Sequence, residues 1–260
     1  MTYRTLEWKL EGLVGTITLN RPEKRNALSK EMIVEFLGAL DAAEASAARV
    51  VIITGAGKAF CAGMDIEELR AIAAQTPKEH LEESQRIATM FRRLYTYPKP
   101  VIAAVNGAAV AGGCGIASLA DFTLAVPEAK LGYTEVKIGF IPALVSVFLT
   151  RQVAGKHARD LVLTGKIVDA AEAFRMGLVT EVVPSGNLMA RTRELADTLL
   201  AISPTSITRT KKLFTKLEAE LLDAEIAVAV HENADIRSTA DFSEGVTSFL
   251  EKRAPQWTGR

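Results

Sequence analysis

The period of apolar and polar positions changes several times along the 260-residue chain. Val14-Gly-Thr-Ile-Thr-Leu19 alternates, the period-two pattern of a half-buried strand. Asn20-Arg-Pro-Glu-Lys-Arg-Asn26 then reads as a polar loop. Ser29 is placed to cap a helix, and Met32, Ile33, Phe36, Leu37 and Leu40 follow at helical spacing. Residues 50–54, 101–105, 122–126 and 179–183 are short runs rich in β-branched and aliphatic side chains, which predict buried strands. Asp65-Ile-Glu-Glu68 predicts a capping box with Asp in the cap position. Residues 76–95 are charged on one side and apolar on the other, and Thr76-Pro77 suits a helix start. Strand and helix alternate, so the fold class is α/β.

Ser203-Pro-Thr-Ser206 is a break. Two helical stretches, 208–220 and 221–233, are predicted after it, dividing the chain into a core, 1–203, and a helical C-terminal segment, 204–260. Leu213, Leu217, Leu221, Ile226 and Val230 recur at helical spacing and predict a face that needs cover.

Two glycine-rich segments carry the candidate chemistry. Gly57-Lys-Ala-Phe-Cys-Ala-Gly-Met-Asp65 follows one buried run, and Ala111-Gly-Gly-Cys-Gly115 follows another. Each reads as a tight loop entering the first turn of a helix. Helix N-termini leave N–H groups unpaired and carry partial positive charge. Two of them facing one cavity would hold a developing oxyanion between two donors.

Nucleotide readings of Thr54-Gly-Ala-Gly-Lys-Ala-Phe60 fail. A dinucleotide fingerprint needs glycine where Phe60 stands, and a phosphate loop needs Ser or Thr where Ala59 stands. No Gly-x-Ser-x-Gly elbow occurs. His80, His157 and His231 lie in charged helical contexts and read as solvated. Cys61 and Cys114 read as buried free thiols, and no Cys/His spacing suits zinc.

Composition narrows the picture further. With 48% hydrophobic residues the chain can bury a large core, and 31 basic against 31 acidic residues leave no footprint for nucleic acid. No apolar run is long enough to cross a bilayer and the first residues form no signal core, so a soluble cytoplasmic protein without a membrane partner is expected.

The two glycine-rich segments occur in order with Asn20-Arg-Pro-Glu-Lys-Arg-Asn-Ala-Leu28, Lys99-Pro-Val-Ile-Ala-Ala-Val-Asn-Gly107, Leu131-Gly-Tyr-Thr-Glu-Val-Lys-Ile-Gly139 and Phe249-Leu-Glu-Lys-Arg253. This set resembles the enoyl-CoA hydratase/isomerase (crotonase) superfamily across essentially the whole chain. The resemblance implies a spiral of ββα repeats followed by a helical trimerisation segment, assembled as a trimer or a dimer of trimers. It implies an acyl-CoA thioester substrate, no metal, and no cofactor beyond the CoA that the substrate carries.

By the same resemblance the backbone N–H groups of Met64 and Gly112 form the oxyanion hole, and Glu135 moves the proton. Lys24, Arg25 and Ala27 fall near the nucleotide end of CoA, and Ala62 and Asp65 near its adenine and pantetheine. Phe249 and Lys252 match residues that reach CoA in a neighbouring subunit. The implied reaction is addition of water to a 2-enoyl-CoA, giving a 3-hydroxyacyl-CoA. The alternatives are a Δ3–Δ2 enoyl-CoA isomerase, a branched (methylglutaconyl-type) enoyl-CoA hydratase and, least favoured, a non-catalytic acyl-CoA binding scaffold. Two departures stand out. Gly115 occupies the position of a second glutamate in well-known hydratases, and Ile141-Pro-Ala-Leu-Val-Ser-Val147 replaces a glycine-rich stretch.

Overall fold

A computed structural model describes residues 2–72 and 75–260. The chain opens with an antiparallel hairpin of β1 (Leu6–Glu11) and β2 (Val14–Leu19). Alternation finds β2 and passes over β1. β1 is an edge strand whose Glu7, Lys9 and Glu11 face water, so it looks like loop to a hydrophobicity count. Helix α1 (Lys30–Ala45) starts as predicted: the Ser29 hydroxyl accepts the Met32 N–H at 3.2 Å, a cap worth about 1 kcal/mol. Its inner face buries Met32, Ile33, Phe36 and Leu40.

Three turns of the chain then repeat one plan. β3 (Val50–Gly55) is followed by β4 (Ala59–Cys61), α2 (Ile66–Ile72) and α3 (Pro77–Tyr95). β5 (Val101–Val105) is followed by β6 (Ala108–Val110) and α4 (Gly112–Leu119). β7 (Phe122–Ala125) is followed by β8 (Lys130–Gly132), a 3-10 turn at Glu135–Ile138, α5 (Ala143–Gln152) and α6 (Gly155–Thr164). The remaining elements are β9 (Ile167–Asp169), α7 (Ala170–Met176), β10 (Glu181–Val182), α8 (Leu188–Leu200), α9 (Pro204–Asp235) and α10 (Ala240–Glu251).

In each turn the first strand joins a six-stranded sheet ordered β1-β2-β3-β5-β7-β10. The second joins a four-stranded sheet ordered β4-β6-β8-β9. β3 and β5 are buried along their whole length, which explains their uninterrupted apolar runs. The short β4, β6 and β8 give no such signal, because three residues cannot establish a period.

Four further expectations need correction. The run at 179–183 narrows to β10, although Thr180 and Val183 still donate to Thr123 and Ala125 of β7. The box at Asp65 closes on one side only: its Oδ1 accepts the Glu67 N–H, while Glu68 accepts the Lys30 N–H of α1 instead. The box at Thr76 and Glu79 does close. The stretches 208–220 and 221–233 are one helix of 32 residues, about 48 Å long, because the joint holds good helix formers and neither Gly nor Pro. The apolar stripe on α9 divides: Leu213, Leu217 and Leu221 are exposed, whereas Ile226 and Val230 are buried against the chain's own core. Among the described residues no helix is long and apolar enough to cross a membrane.

Candidate active site

β4, β6 and β8 lie side by side and parallel, so their carboxyl ends open in the same direction. The segments leaving those ends contain Met64, Gly112 and Glu135. Adjacency in the small sheet is therefore what gathers three residues that are 71 positions apart at the extremes of the sequence (135 − 64).

The first loop is set by a one-residue parallel bridge between Leu28 and Met64. The Leu28 N–H donates to Gly63 at 2.7 Å and the Asp65 N–H donates to Leu28 at 2.9 Å. Those bonds use the groups flanking Met64, so the N–H of Met64 itself faces away from Leu28, and Met64 lines the cavity. Gly63 adopts φ +88, and a Cβ there would stand 3.0 Å from the Val110 carbonyl oxygen. The two glycine-rich loops thus touch.

The second loop is held differently. Ala111 has φ 49 and ψ −124, a conformation costing about 1–3 kcal/mol for a residue with a side chain. Its ψ sets the direction of the next N–H, that of Gly112, the first residue of α4. The Ala111 N–H is tied to Gly132 at 2.8 Å, and its carbonyl accepts the Gly115 N–H at 3.0 Å. Gly112 is thus a first-turn donor without an intrahelical acceptor. Gly113 permits the close approach, since a Cβ there would lie 2.2 Å from the Cys61 carbonyl oxygen.

Glu135 begins the 3-10 turn after β8 and is only 9% exposed. Burial pushes its carboxyl up to about 7, against a smaller pull from its own backbone N–H. Its Oε2 is buried and has no hydrogen-bond partner among the described residues. A carboxyl that is half-ionised near neutrality and uncommitted at one oxygen can take and return a proton.

Glu135, Met64 and Gly112 all line one cavity of about 650 Å³. Lys24, Arg25, Ala27, Ala62, Asp65 and Phe249 line it too; Lys252 does not, and ends α10 in a left-handed conformation. Lys24 and Arg25 are exposed at its rim, where Lys24 pairs with Glu67 at 2.7 Å. Asp65 is engaged by its own chain: Oδ2 accepts from Arg21 at 2.7 Å and Oδ1 from Glu67. Burial raises this carboxyl, but the Glu67 N–H and the Arg21 guanidinium reverse that and leave it below the usual range. Arg21 also donates to the Ala27 carbonyl at 2.7 Å, so it ties the rim loop to the first glycine-rich loop.

Gly115 faces no vacant space. A Cβ there would meet Val145 at 2.9 Å and the Phe91 ring at 3.1 Å, so apolar groups occupy the ground a second carboxylate would need. Ile141 to Val145 line the cavity as the entry to α5. Sequence reasoning missed Phe91, Val145, Leu28, Ala111 and Arg21. Of these, Phe91 had a signal in its place on the apolar face of α3, and Val145 in the stretch 141–147 that departs from the family's glycine-rich pattern.

Cys61 and Cys114 are buried free thiols as expected, each pushed by burial to about 12 and hence inert. His80 is the exception among the histidines. It is buried, with Nε2 2.9 Å from the Ile72 carbonyl at the end of α2, so reading it as solvated was wrong. Among the described residues no group of three or more His, Cys, Asp or Glu is placed to hold a metal ion.

The two-sheet spiral with its paired loops is a crotonase-type fold. The profile of the enoyl-CoA hydratase/isomerase family matches residues 9–260. The chain is 45% identical over 95% of its length to 98% of a Thermus thermophilus protein whose name assigns it provisionally as an enoyl-CoA hydratase. It is 33% identical, over 97% of each chain, to a crotonyl-CoA hydratase of Syntrophomonas wolfei. A crystal structure of an enoyl-CoA hydratase/isomerase from Xanthobacter autotrophicus superposes with a TM-score of 0.90 at 31% identity, covering 96% of this chain and 94% of the other. The chain belongs to the enoyl-CoA hydratase/isomerase family and is an enzyme of that class.

Proposed function

We propose that the chain adds water to the double bond of a 2-enoyl-CoA, giving a 3-hydroxyacyl-CoA. The observation that carries this reading is the buried Glu135 carboxyl, uncommitted at Oε2 among the described residues, in the same cavity that Met64 and Gly112 line. The two N–H groups accept the thioester oxygen. As the water oxygen bonds to C3, a water proton passes to Glu135 and the π electrons move to the thioester oxygen, forming an enolate that the two donors stabilise. The enolate collapses as Glu135 returns that proton to C2. Lys24 and Arg25 at the rim suit the phosphates of CoA, with Ala27, Ala62 and Asp65 beside it.

The exposed face of α9, with Leu217 at 74% exposure, supports assembly of copies into a trimer or a dimer of trimers. In that assembly Lys252, which does not line its own cavity, is offered toward a neighbour's CoA, while Phe249 lines the chain's own cavity instead. A cytoplasmic location is part of the same proposal.

A second reading, Δ3–Δ2 isomerisation with Glu135 as shuttle base, is favoured by the Phe91 and Val145 side chains that crowd Gly115. The test is purified protein with crotonyl-CoA and with 3-hexenoyl-CoA, followed by loss or appearance of the conjugated enoyl absorbance. Hydration of crotonyl-CoA as the faster reaction supports the first reading. Faster isomerisation replaces it with the second, and no turnover of either overturns both.

A further inference from the structure

The cavity wall contributed by α1, α3 and α5 is apolar: Ile33, Ile87, Phe91, Leu144 and Val145. Asn233 of α9 interrupts it, 4% exposed yet lining the cavity. A buried amide in apolar surroundings is costly unless all its groups find partners. Its Oδ1 accepts two hydrogen bonds, from the Ser84 hydroxyl at 2.8 Å and from Arg237 Nη2 at 2.9 Å. Two donors converging on one atom fix the amide's orientation, since a flip would set donor against donor. Among the described residues the hydrogen bonds of the Asn233 amide run to Oδ1, which leaves its Nδ2 donor for the cavity.

Its position along the acyl path follows from α3. Ser84, Ile87 and Phe91 share one face of that helix, at spacings of three and four. Phe91 marks the catalytic end, because its ring lies 3.8 Å from where a Gly112 Cβ would stand. Ser84, which holds Asn233, is two turns away, about 10 Å along the helix axis. The amide therefore sits beyond the reacting carbons.

Behind it stands a buried cation. Arg237 is 3% exposed, lies 5.5 Å from the centre of the cavity-lining Phe140 ring, and has no partner for Nη1 among the described residues. Burial lowers its guanidinium to about 10 while the charge of Glu83 holds it up. Glu83 is itself bonded to Arg86 at 2.8 Å and approached by Lys30 at 4.0 Å, so it does not match Arg237 one for one.

We propose that Asn233 is a specificity-determining residue that reads a carboxylate at the far end of the acyl chain, making the preferred substrates thioesters of dicarboxylic acids. The inference rests on the cavity being the acyl-CoA site. Its test uses saturated ligands, which cannot be hydrated: adipoyl-CoA and hexanoyl-CoA, titrated calorimetrically into the full chain. Adipoyl-CoA binds tighter by roughly 10–100-fold, the worth of a hydrogen bond to a charged group. Asn233→Asp keeps an oxygen for Ser84 and Arg237 but removes the donor, and the ratio collapses. Equal affinities in the unmodified chain overturn the proposal, as does a ratio that survives Asn233→Asp. A monomethyl ester of adipoyl-CoA that binds as tightly as the free acid overturns it too. Adipoyl selectivity in a chain that hydrates no enoyl-CoA leaves this inference standing and removes the proposed reaction.

Discussion

The loops at 62–65 and 111–115 leave adjacent strands of one sheet and line one cavity, and in the proposed reaction each offers it one N–H, by opposite means. The first borrows its geometry from elsewhere in the chain. Leu28 bridges across Met64, and Arg21 holds Asp65, which caps the first turn of α2. The second generates its geometry locally, through the strained backbone of Ala111 and glycines at 112 and 113. A donor held by partners is vulnerable at those partners. A donor held by strain is vulnerable only where the strain resides.

Among changes to the two loops, deleting the second donor has the largest expected effect. Gly112 is the first residue of α4, where proline is tolerated because its missing N–H has no intrahelical acceptor. Gly112→Pro should lower turnover roughly 10²–10³-fold. Gly112→Ala keeps the N–H and crowds only the flexible end of Leu28, at 3.1 Å, with the Phe91 ring at an ordinary 3.8 Å, so it should lose far less. Equal losses in two folded variants, by circular dichroism, would show that crowding rather than the donor matters.

Removing the brace of the first loop comes next. Asp65→Ala deletes the cap on α2 and strips Arg21 of its partner, which should cost about 2 kcal/mol of stability. The urea midpoint should fall and KM should rise together, because the rim loop and the Met64 segment share that brace. An unchanged midpoint would break the distinction between the loops.

Ala111→Gly should have the smallest effect and the opposite sign in stability. Releasing about 1–3 kcal/mol of strain exceeds glycine's entropic penalty of about 0.5–1 kcal/mol, so the variant should be slightly more stable. Its Gly112 N–H is less firmly aimed, and turnover should fall by less than about tenfold. A variant less stable than the parent would show that Ala111 stores no strain.

The same contrast explains what was legible beforehand. Signals that reside in a few consecutive residues were readable: the Ser29 cap, the helix start at Thr76-Pro77, the buried runs of β3 and β5. Ordered motifs pointed to Glu135, Met64 and Gly112, and the structure places all three on one cavity. What depends on distant partners was not readable. The Leu28 bridge, the Phe91 and Val145 side chains against Gly115, and the burial of His80 beneath the end of α2 each need the fold before they exist. Ala111 shows a further limit, for alanine is a strong helix former and nothing in its identity announces a positive φ.

In the proposed reaction both loops serve one proton-transfer group, Glu135, and its titration tests the account most directly. Burial holds the Glu135 carboxyl at about 7, and in the proposed reaction the ionised form accepts the proton from water. The measurement is kcat/KM for crotonyl-CoA against pH, in the parent chain and in Glu135→Gln. The parent should rise with pH through an inflection near 7 to a plateau, and the variant should be roughly 10²–10⁴-fold slower with that inflection gone. A Glu135→Gln chain that keeps the parental rate and the same pH profile would contradict the account.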